Sequence, residues 1–275
     1  DCAHKEAQCF GSWGSSRIDR SSGAAKSTGN TIRRARTMAM LKDIEVISFN
    51  ADGTLWDLQK VMRHSLRFAL EELIKAWPSA KGHLTIDQMI EIREEIASTL
   101  KGRVQRLEDV RLAAFAETVS RIGPADDKLA RYLNDTYLKH RFEEIELFAD
   151  VVETLDVLER SYVLGLVSNG NSYPEKCGLD GRFKFVVFAQ DHGVAKPDPL
   201  LFSIAIEEAA CQRKSFLHVG DSVSDDIAGA RRAGVGSVWL NRSGVSNDAG
   251  IQPDFEIQSL LELPELLSAA RRDLG

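Results

Sequence analysis

Four short polar clusters in this chain carry residue types that do acid–base, anion-binding and cation-ligating chemistry. They are Asn50-Ala51-Asp52-Gly53-Thr54-Leu55, Ser168-Asn169, Lys196 before Pro197, and Gly220-Asp221-Ser222 followed by Asp225 and Asp226. Each has a plain structural reading when taken alone. Asp52-Gly53 is a turn pair, Ser168-Asn169-Gly170 a turn or helix cap, Lys196-Pro197 a solvated loop, and Asp225 an N-cap. Three of the clusters close an apolar run, and the lysine lies in the loop after a fourth. Carboxylates, a hydroxyl and a lysine gathered at successive strand ends point to one catalytic site.

The elements that must position these clusters alternate between strand and helix. Ile44–Phe49 is an apolar run that enters the first cluster, and it reads as a buried strand. Tyr162–Val167, Phe185–Phe188, Phe216–Gly220 and Val238–Leu240 read as further strands. Helices are expected over Val151–Arg160, from Pro199 to about Ala210, and from about Asp226 to Ala233. Between the first two strands lies a purely helical tract. Met62, Leu66, Ala69, Leu70, Leu73 and Ile74 share one helical face that ends at Trp77-Pro78. Thr85 and Gln88 form a capping-box pair ahead of Met89, Ile92, Ile96 and Leu100. Leu107, Val110, Ala114 and Ile122 mark a third helix, stopped near Gly123-Pro124. Leu129, Leu133, Tyr137 and Phe142 mark a fourth. Repeated strand–helix units imply a parallel sheet with helices on both faces, whose ligands sit beyond the carboxyl ends of the strands.

In order and spacing the clusters resemble the haloacid dehalogenase (HAD) superfamily, and within it the phosphatase-type members with a helical cap inserted after the first motif. Such members show DxDGT, a Ser or Thr closing the second strand, a lysine, and GDS with a further Asp. The resemblance covers about residues 44–265. It implies an α/β fold: a Rossmann-like parallel-sheet core formed by residues 41–57 and 149–275, and an all-helical cap domain over 58–148. It also implies phosphate-ester hydrolysis through an aspartyl-phosphate, assisted by Mg²⁺. Matched residue by residue, position 50 holds the nucleophile and Asp52 is the general acid/base. Ser168, the Asn169 backbone N–H, Lys196 and the backbone near Gly53 are expected to hold the phosphoryl group. Residue 50, the Asp52 carbonyl and Asp221 are expected to ligate the metal, with Asp226 or Asp225 holding its water.

The departure is at position 50, where Asn stands in place of the family's aspartate. Asn is nearly isosteric with Asp, but it is neutral and a poor nucleophile. The chain as written is therefore expected to be strongly impaired, by roughly 10⁴–10⁶ in turnover. Asn50 reads either as an engineered substitution in an otherwise intact phosphatase or as the mark of a natural pseudoenzyme that binds a phosphorylated ligand. The 2-haloacid dehalogenases are the other rival. They use the same nucleophile without Mg²⁺ and generally lack the aspartate two residues on, so Asp52 and the acidic fourth cluster favour the phosphatase.

A closing cap suits a small phosphorylated metabolite, such as a sugar phosphate, a nucleotide or phosphoglycolate, rather than a phosphoprotein. Trp56-Asp57 and Phe148-Ala149-Asp150 are the expected hinges. Lys60, Arg63, Arg67, Arg103 and Arg106 are cap cations that either reach an anionic substrate or belong to a solvated helix face. His192, His218 and Trp239 read as packing or loop residues.

Composition bounds the rest. The 275 residues are 43% hydrophobic and 28% charged, which fits one large or two modest globular domains. No stretch approaches the ~20 apolar residues that span a bilayer, so no membrane partner is expected. The net charge of −6 is uneven: residues 1–40 hold seven basic and three acidic residues, and the body is correspondingly more acidic. An acidic body argues against nucleic acid as a partner. The basic, Ser/Gly-rich head shows no periodicity, and vector- or upstream-derived sequence is the favoured reading over a targeting remnant. Its Gly23-to-Thr28 run fails as a phosphate-binding loop because Ala25 stands where glycine is required before the lysine. Cys2, Cys9, Cys177 and Cys211 form no CxxC pair, which suits reduced thiols and a cytoplasmic location. Nothing in the sequence marks an oligomeric state.

Overall fold

The computed structural model describes residues 38–100, 106–143 and 145–272. Arg103 and residues 1–37, with Cys2, Cys9 and the Gly23-to-Thr28 run, lie outside the described residues. The strands are β1 (Val46–Phe49), β2 (Val163–Ser168), β3 (Phe185–Phe188), β4 (Phe216–Gly220), β5 (Gly236–Leu240) and β6 (Phe255–Ile257). They form one sheet in the order β3-β2-β1-β4-β5-β6, with every neighbouring pair parallel. β1, β4 and β5 are buried along their whole length, as expected of strands covered on both faces. Phe49 pairs with Leu166 on one side and Val219 on the other, so Asn50, Ser168 and Asp221 leave the sheet at the same edge. Sheet register, not sequence proximity, brings the clusters together.

Helices α1 (Leu58–Ala76), α2 (Ile86–Leu100), α3 (Leu107–Ile122) and α4 (Asp127–His140) lie between β1 and β2 in the chain. Their apolar stripes meet in a cluster of their own, which includes Leu73, Ile92, Val119 and Leu133. Local signals set their ends. The Asp57 carboxylate accepts from Lys60 N–H (3.1 Å) and caps α1, which stops at Trp77 before Pro78. Thr85 and Gln88 form the reciprocal capping box of α2, with bonds of 3.2 and 2.9 Å. Asp126 accepts from Lys128 and Leu129 N–H at the start of α4, 3.0 Å each. That helix ends at His140, so Phe142 lies beyond it and not on its face as the periodicity suggested.

α5 (Val151–Leu158) leads into β2, and beyond β2 come α6 (Pro199–Glu208), α7 (Ala228–Ala233) and α8 (Glu262–Arg272). A π-helical turn over Val223–Ile227 replaces the expected first turn of α7. β6 and α8 have no counterpart in the sequence reading. β6 is only three residues long and follows Pro253, and Pro264 in the first turn of α8 masks its helical pattern. No helix among the described residues is long and apolar enough to cross a membrane.

The two crossings between the sheet and the helices are tied to each other. Trp56 and Leu147 form an antiparallel bridge, and Phe148 N–H donates to Leu55 C=O (3.0 Å). Asp150 anchors the second crossing. Its carboxylate takes both Arg242 Nη atoms (2.8 and 2.9 Å), Ser259 Oγ–H (2.8 Å) and Leu260 N–H (2.8 Å). Arg242 also donates to Thr54 C=O (3.0 Å), which ties the loop after β1 to the same anchor. Burial alone would raise the Asp150 carboxyl, but these donors hold it below the usual carboxylate range. The stability it contributes is present above its unfolded value near ~4 and is lost as pH falls through its lower folded value. Asp150→Ala leaves a partly buried guanidinium without its anion, and it should cost about 2–4 kcal/mol in urea unfolding at pH 7. That deficit should shrink when the titration is repeated below about pH 4.

Candidate active site

Eight of the nine sequence-predicted residues line one cleft of about 300 Å³ beyond the carboxyl ends of β1, β2 and β4: Asn50, Asp52, Ser168, Asn169, Lys196, Asp221, Asp225 and Asp226. Gly53, the ninth, lies in the same loop but is not among the lining residues. Its N–H is committed to Trp56 C=O (2.9 Å), so the phosphoryl contact expected of Gly53 itself is not available. What Gly53 supplies is room. Its φ of +84° suits glycine, and a Cβ there would overlap the Asp221 carboxylate. Gly170 does the same for Asp52, whose carboxylate sits where a side chain at 170 would project.

At position 50 the amide is oriented by its neighbours. Lys196 Nζ donates to Asn50 Oδ1 (2.9 Å), so Oδ1 faces the ammonium. Nδ2 donates to Asp52 C=O (2.8 Å) and to Asp221 Oδ1 (2.9 Å). Two oxygens therefore converge on the amide nitrogen. With Asp225 also lining the cleft, this is a hard, oxygen-only donor set of the kind that takes a partly hydrated Mg²⁺. Asp221 also accepts from Thr54 Oγ1–H (2.8 Å), and its backbone carbonyl takes the Trp239 indole N–H (2.9 Å). Burial and the nearby Asp226 push the Asp221 carboxyl above its ordinary value. Trp239, read from sequence as packing, thus fixes the backbone of a site carboxylate.

Asp52 is held by Trp56 Nε1–H (2.8 Å) and Ser172 Oγ–H (3.3 Å). Ser172 in turn accepts from Arg141 Nη2 (3.1 Å). Ser168 Oγ accepts from Gly170 N–H (3.0 Å), which leaves its hydroxyl proton for another acceptor. The Asn169 side chain brackets the Lys196 backbone, accepting from its N–H (2.7 Å) and donating to its C=O (3.0 Å). Cys177 lies close enough to Asp52 to feel its charge. Burial and that carboxylate push its thiol up to about 12, so it stays protonated at neutral pH.

Asp226 has a different place from the one expected. It is fully buried, and Oδ1 pairs with Lys196 Nζ (2.6 Å) and His218 Nε2 (3.2 Å) while Oδ2 accepts from Ser222 N–H (2.9 Å). Both oxygens are spent on protein groups, so Asp226 is not arranged to hold a metal-bound water. Burial alone would raise this carboxyl, yet Lys196 and His218 hold it well below the usual range. His218, assigned no chemistry from sequence, is buried beside it, and burial pushes its imidazole down. The ionised Asp226 only accepts, so Nε2 carries the proton and Nδ1 accepts from Ser48 Oγ–H (2.8 Å). Alternation along β1 and β4 is the signal that could have found this pair, since Ser48 and His218 are polar residues inside otherwise apolar strands.

Of the cap cations weighed between substrate contact and a solvated helix face, the four that are described do not line the cleft. Lys60 pairs with Glu146 (2.5 Å), Arg63 with Asp87, and Arg106 with Glu108 (2.7 Å), while Arg67 is exposed over Phe68. The guanidinium groups that face the interior are instead Arg93, Arg111 and Arg141.

Residues 44–234 match the haloacid dehalogenase-like hydrolase family. Among curated proteins the chain is 32% identical over 141 residues to the pyrimidine 5'-nucleotidase YjjG of Escherichia coli, a match spanning 49% of this chain and 63% of that protein, under two thirds of its length. It is 27% identical over 235 residues to the E. coli 5-amino-6-(5-phospho-D-ribitylamino)uracil phosphatase YigB, covering 82% of this chain and 96% of that one. Among solved structures, a 2-haloacid dehalogenase from Pseudomonas syringae superposes with a TM-score of 0.68 at 31% identity, over 82% of this chain and 99% of that one. The HAD-hydrolase YfnB from Bacillus subtilis, bound to magnesium, superposes with a TM-score of 0.67 at 26% identity, over 82% of this chain and 98% of that one. The parallel sheet, the four clusters gathered at its carboxyl edge and these matches agree: the chain belongs to the haloacid dehalogenase-like hydrolases.

Proposed function

We propose that this site is built to hydrolyse a small phosphate monoester through an aspartyl-phosphate, and that Asn50 leaves the chain as written strongly impaired. The observation that carries the reading is Asp52. Its carboxylate is fixed beside position 50 by Trp56 and Ser172, where a leaving oxygen would need a proton. The phosphatase name of YigB, matched over 96% of that protein, supports the reading.

With aspartate at position 50, a carboxylate oxygen forms a bond to phosphorus as the ester P–O bond breaks. Asp52 gives its proton to the departing oxygen, then takes one from the water that attacks phosphorus, releasing phosphate and restoring the carboxylate at 50. Lys196 and the Ser168 hydroxyl offset charge on the phosphoryl oxygens, and Lys196 also orients residue 50. Residue 50, Asp52 C=O and Asp221 would hold Mg²⁺, with Asp225 at the mouth for its water shell. When bound, the ion neutralises charge on the phosphoryl group. Asp226 positions Lys196. Residues 58–148 act as a cap that covers the ester.

An amide at position 50 cannot play the first part. Asn50→Asp should therefore raise Mg²⁺-dependent hydrolysis of p-nitrophenyl phosphate by at least about 10³-fold. In that background, Asp52→Asn should cost about 10²–10⁴ in kcat. Absence of any gain would point to a phosphate-binding role without catalysis. Chloride release from 2-chloropropionate in the absence of Mg²⁺ would point to dehalogenation. Asp226→Asn removes the anion that pairs a buried ammonium, and should cost about 3–5 kcal/mol in denaturant unfolding.

A further inference from the structure

Behind Asp52 the cleft continues beneath α1–α4 into a second cavity of about 70 Å³, room for roughly five water molecules. The two spaces share Asp52, Leu58, Arg93, Leu107 and Gly170, so they adjoin at Asp52. Part of the wall is apolar, formed by Met62, Leu66, Met89 and Phe115. The rest is strongly basic. Arg93, Arg111 and Arg141 face the space, and Asp52 is the one carboxylate lining it among the described residues.

These arginines are not the usual surface kind. Arg141 is only 7% exposed, yet the bond its guanidinium makes is to the neutral Ser172 hydroxyl. Arg111 Nε donates to the neutral Asn134 Oδ1 (3.0 Å). Neither has a carboxylate partner among the described residues, in contrast to Arg63, Arg106 and Arg121 on the outer faces. Each guanidinium offers five N–H donors, most of them unspent here. Burial first, and the neighbouring Arg141 after it, push the Arg111 guanidinium below its ordinary value. Buried cations in this arrangement are costly until an anion joins them. Asn171 adds a directional element. Its Nδ2 donates to Gln190 (3.1 Å), while its buried Oδ1 has no hydrogen-bond partner among the described residues.

Resting on the phosphatase reading, we propose that this cavity binds the leaving group and takes a short alcohol bearing a second anionic group, held by Arg111 and Arg141. The substrate class is then a compact phosphate ester with an anion at each end. Asn171 Oδ1 accepts from a hydroxyl or N–H on the body between them. Neutral or cationic tails forfeit the guanidinium pair, and a cationic tail also meets its repulsion.

Binding to the chain as it stands, with Asn50 in place and Mg²⁺ present, tests this by calorimetry. Three esters of similar length serve as probes: 2-phosphoglycolate, 2-hydroxyethyl phosphate and O-phosphoethanolamine, with anionic, neutral and cationic tails. The anionic ester should bind at least about 10-fold tighter than the neutral one, and the cationic ester weakest. Arg111→Gln should remove most of that preference, and Arg111→Lys should keep part of it, with thermal melting confirming that both variants fold. Equal binding of the three esters, a preference that survives Arg111→Gln, or binding of none overturns the proposal. The phosphatase reading fails separately, through absent turnover of every ester by the Asn50→Asp form. Turnover without a charge preference keeps that reading and removes this one.

Discussion

A lysine ammonium sealed inside the protein organises this site. The Lys196 side chain is 1% exposed, and a charge so placed is tolerable only when every donor has a partner. It has three: the Asp226 carboxylate, the Val167 carbonyl and the Asn50 amide oxygen. Those partners come from β2, the β1 loop and the turn after β4, so the ammonium joins the ends of three adjacent strands. The network extends from Asp226 to His218 and Ser48 inside the sheet. Removing Asp226 strands a buried charge, and the penalty falls on fold and site together.

The proposed phosphate-ester substrate has to be reconciled with an acidic protein. The chain carries −6 overall, which repels anions at long range. The cleft itself holds Asp52, Asp221, Asp225 and Asp226 against Lys196 and Arg93, and the sign reverses only in the inner cavity, where Arg93, Arg111 and Arg141 meet Asp52 alone among the described carboxylates. Of the cleft carboxylates, Asp226 is paired with Lys196, and on the proposed reading Asp52 and Asp221 sit where a proton and a cation are needed. Asn50 disturbs this arrangement with little change in volume. Its Nδ2 bridges Asp52 C=O and Asp221, satisfying with an uncharged amide the oxygens that the proposed reading gives to a cation.

Much of this was legible in the sequence because the signals are local. Thr85 with Gln88 announces a helix start, and the apolar runs before Asn50, Ser168 and Asp221 announce the strands. The clusters that end those runs identify most of the cleft. What was hidden depends on register and approach. Asp226 and Asp225 are adjacent in sequence, and only the π-helical turn decides that Asp226 points inward to Lys196 while Asp225 lines the mouth. Arg111 stands on α3 and Arg141 directly after α4, in the same helical tract as the other cap cations. Their inward direction follows from how α2, α3 and α4 pack, which charge alone does not encode. β6 and α8 were too short or too interrupted by proline to show a period.

If position 50 is the missing charge of a cation site, its identity should set metal affinity independently of any substrate. Calorimetric titration of Mg²⁺ into the chain as written and into its Asn50→Asp form measures that directly. The added carboxylate supplies an anionic ligand between Asp52 C=O and Asp221, so Asn50→Asp should bind Mg²⁺ at least about 10-fold tighter. Equal affinity in the two forms, or weaker binding by Asn50→Asp, would contradict the account.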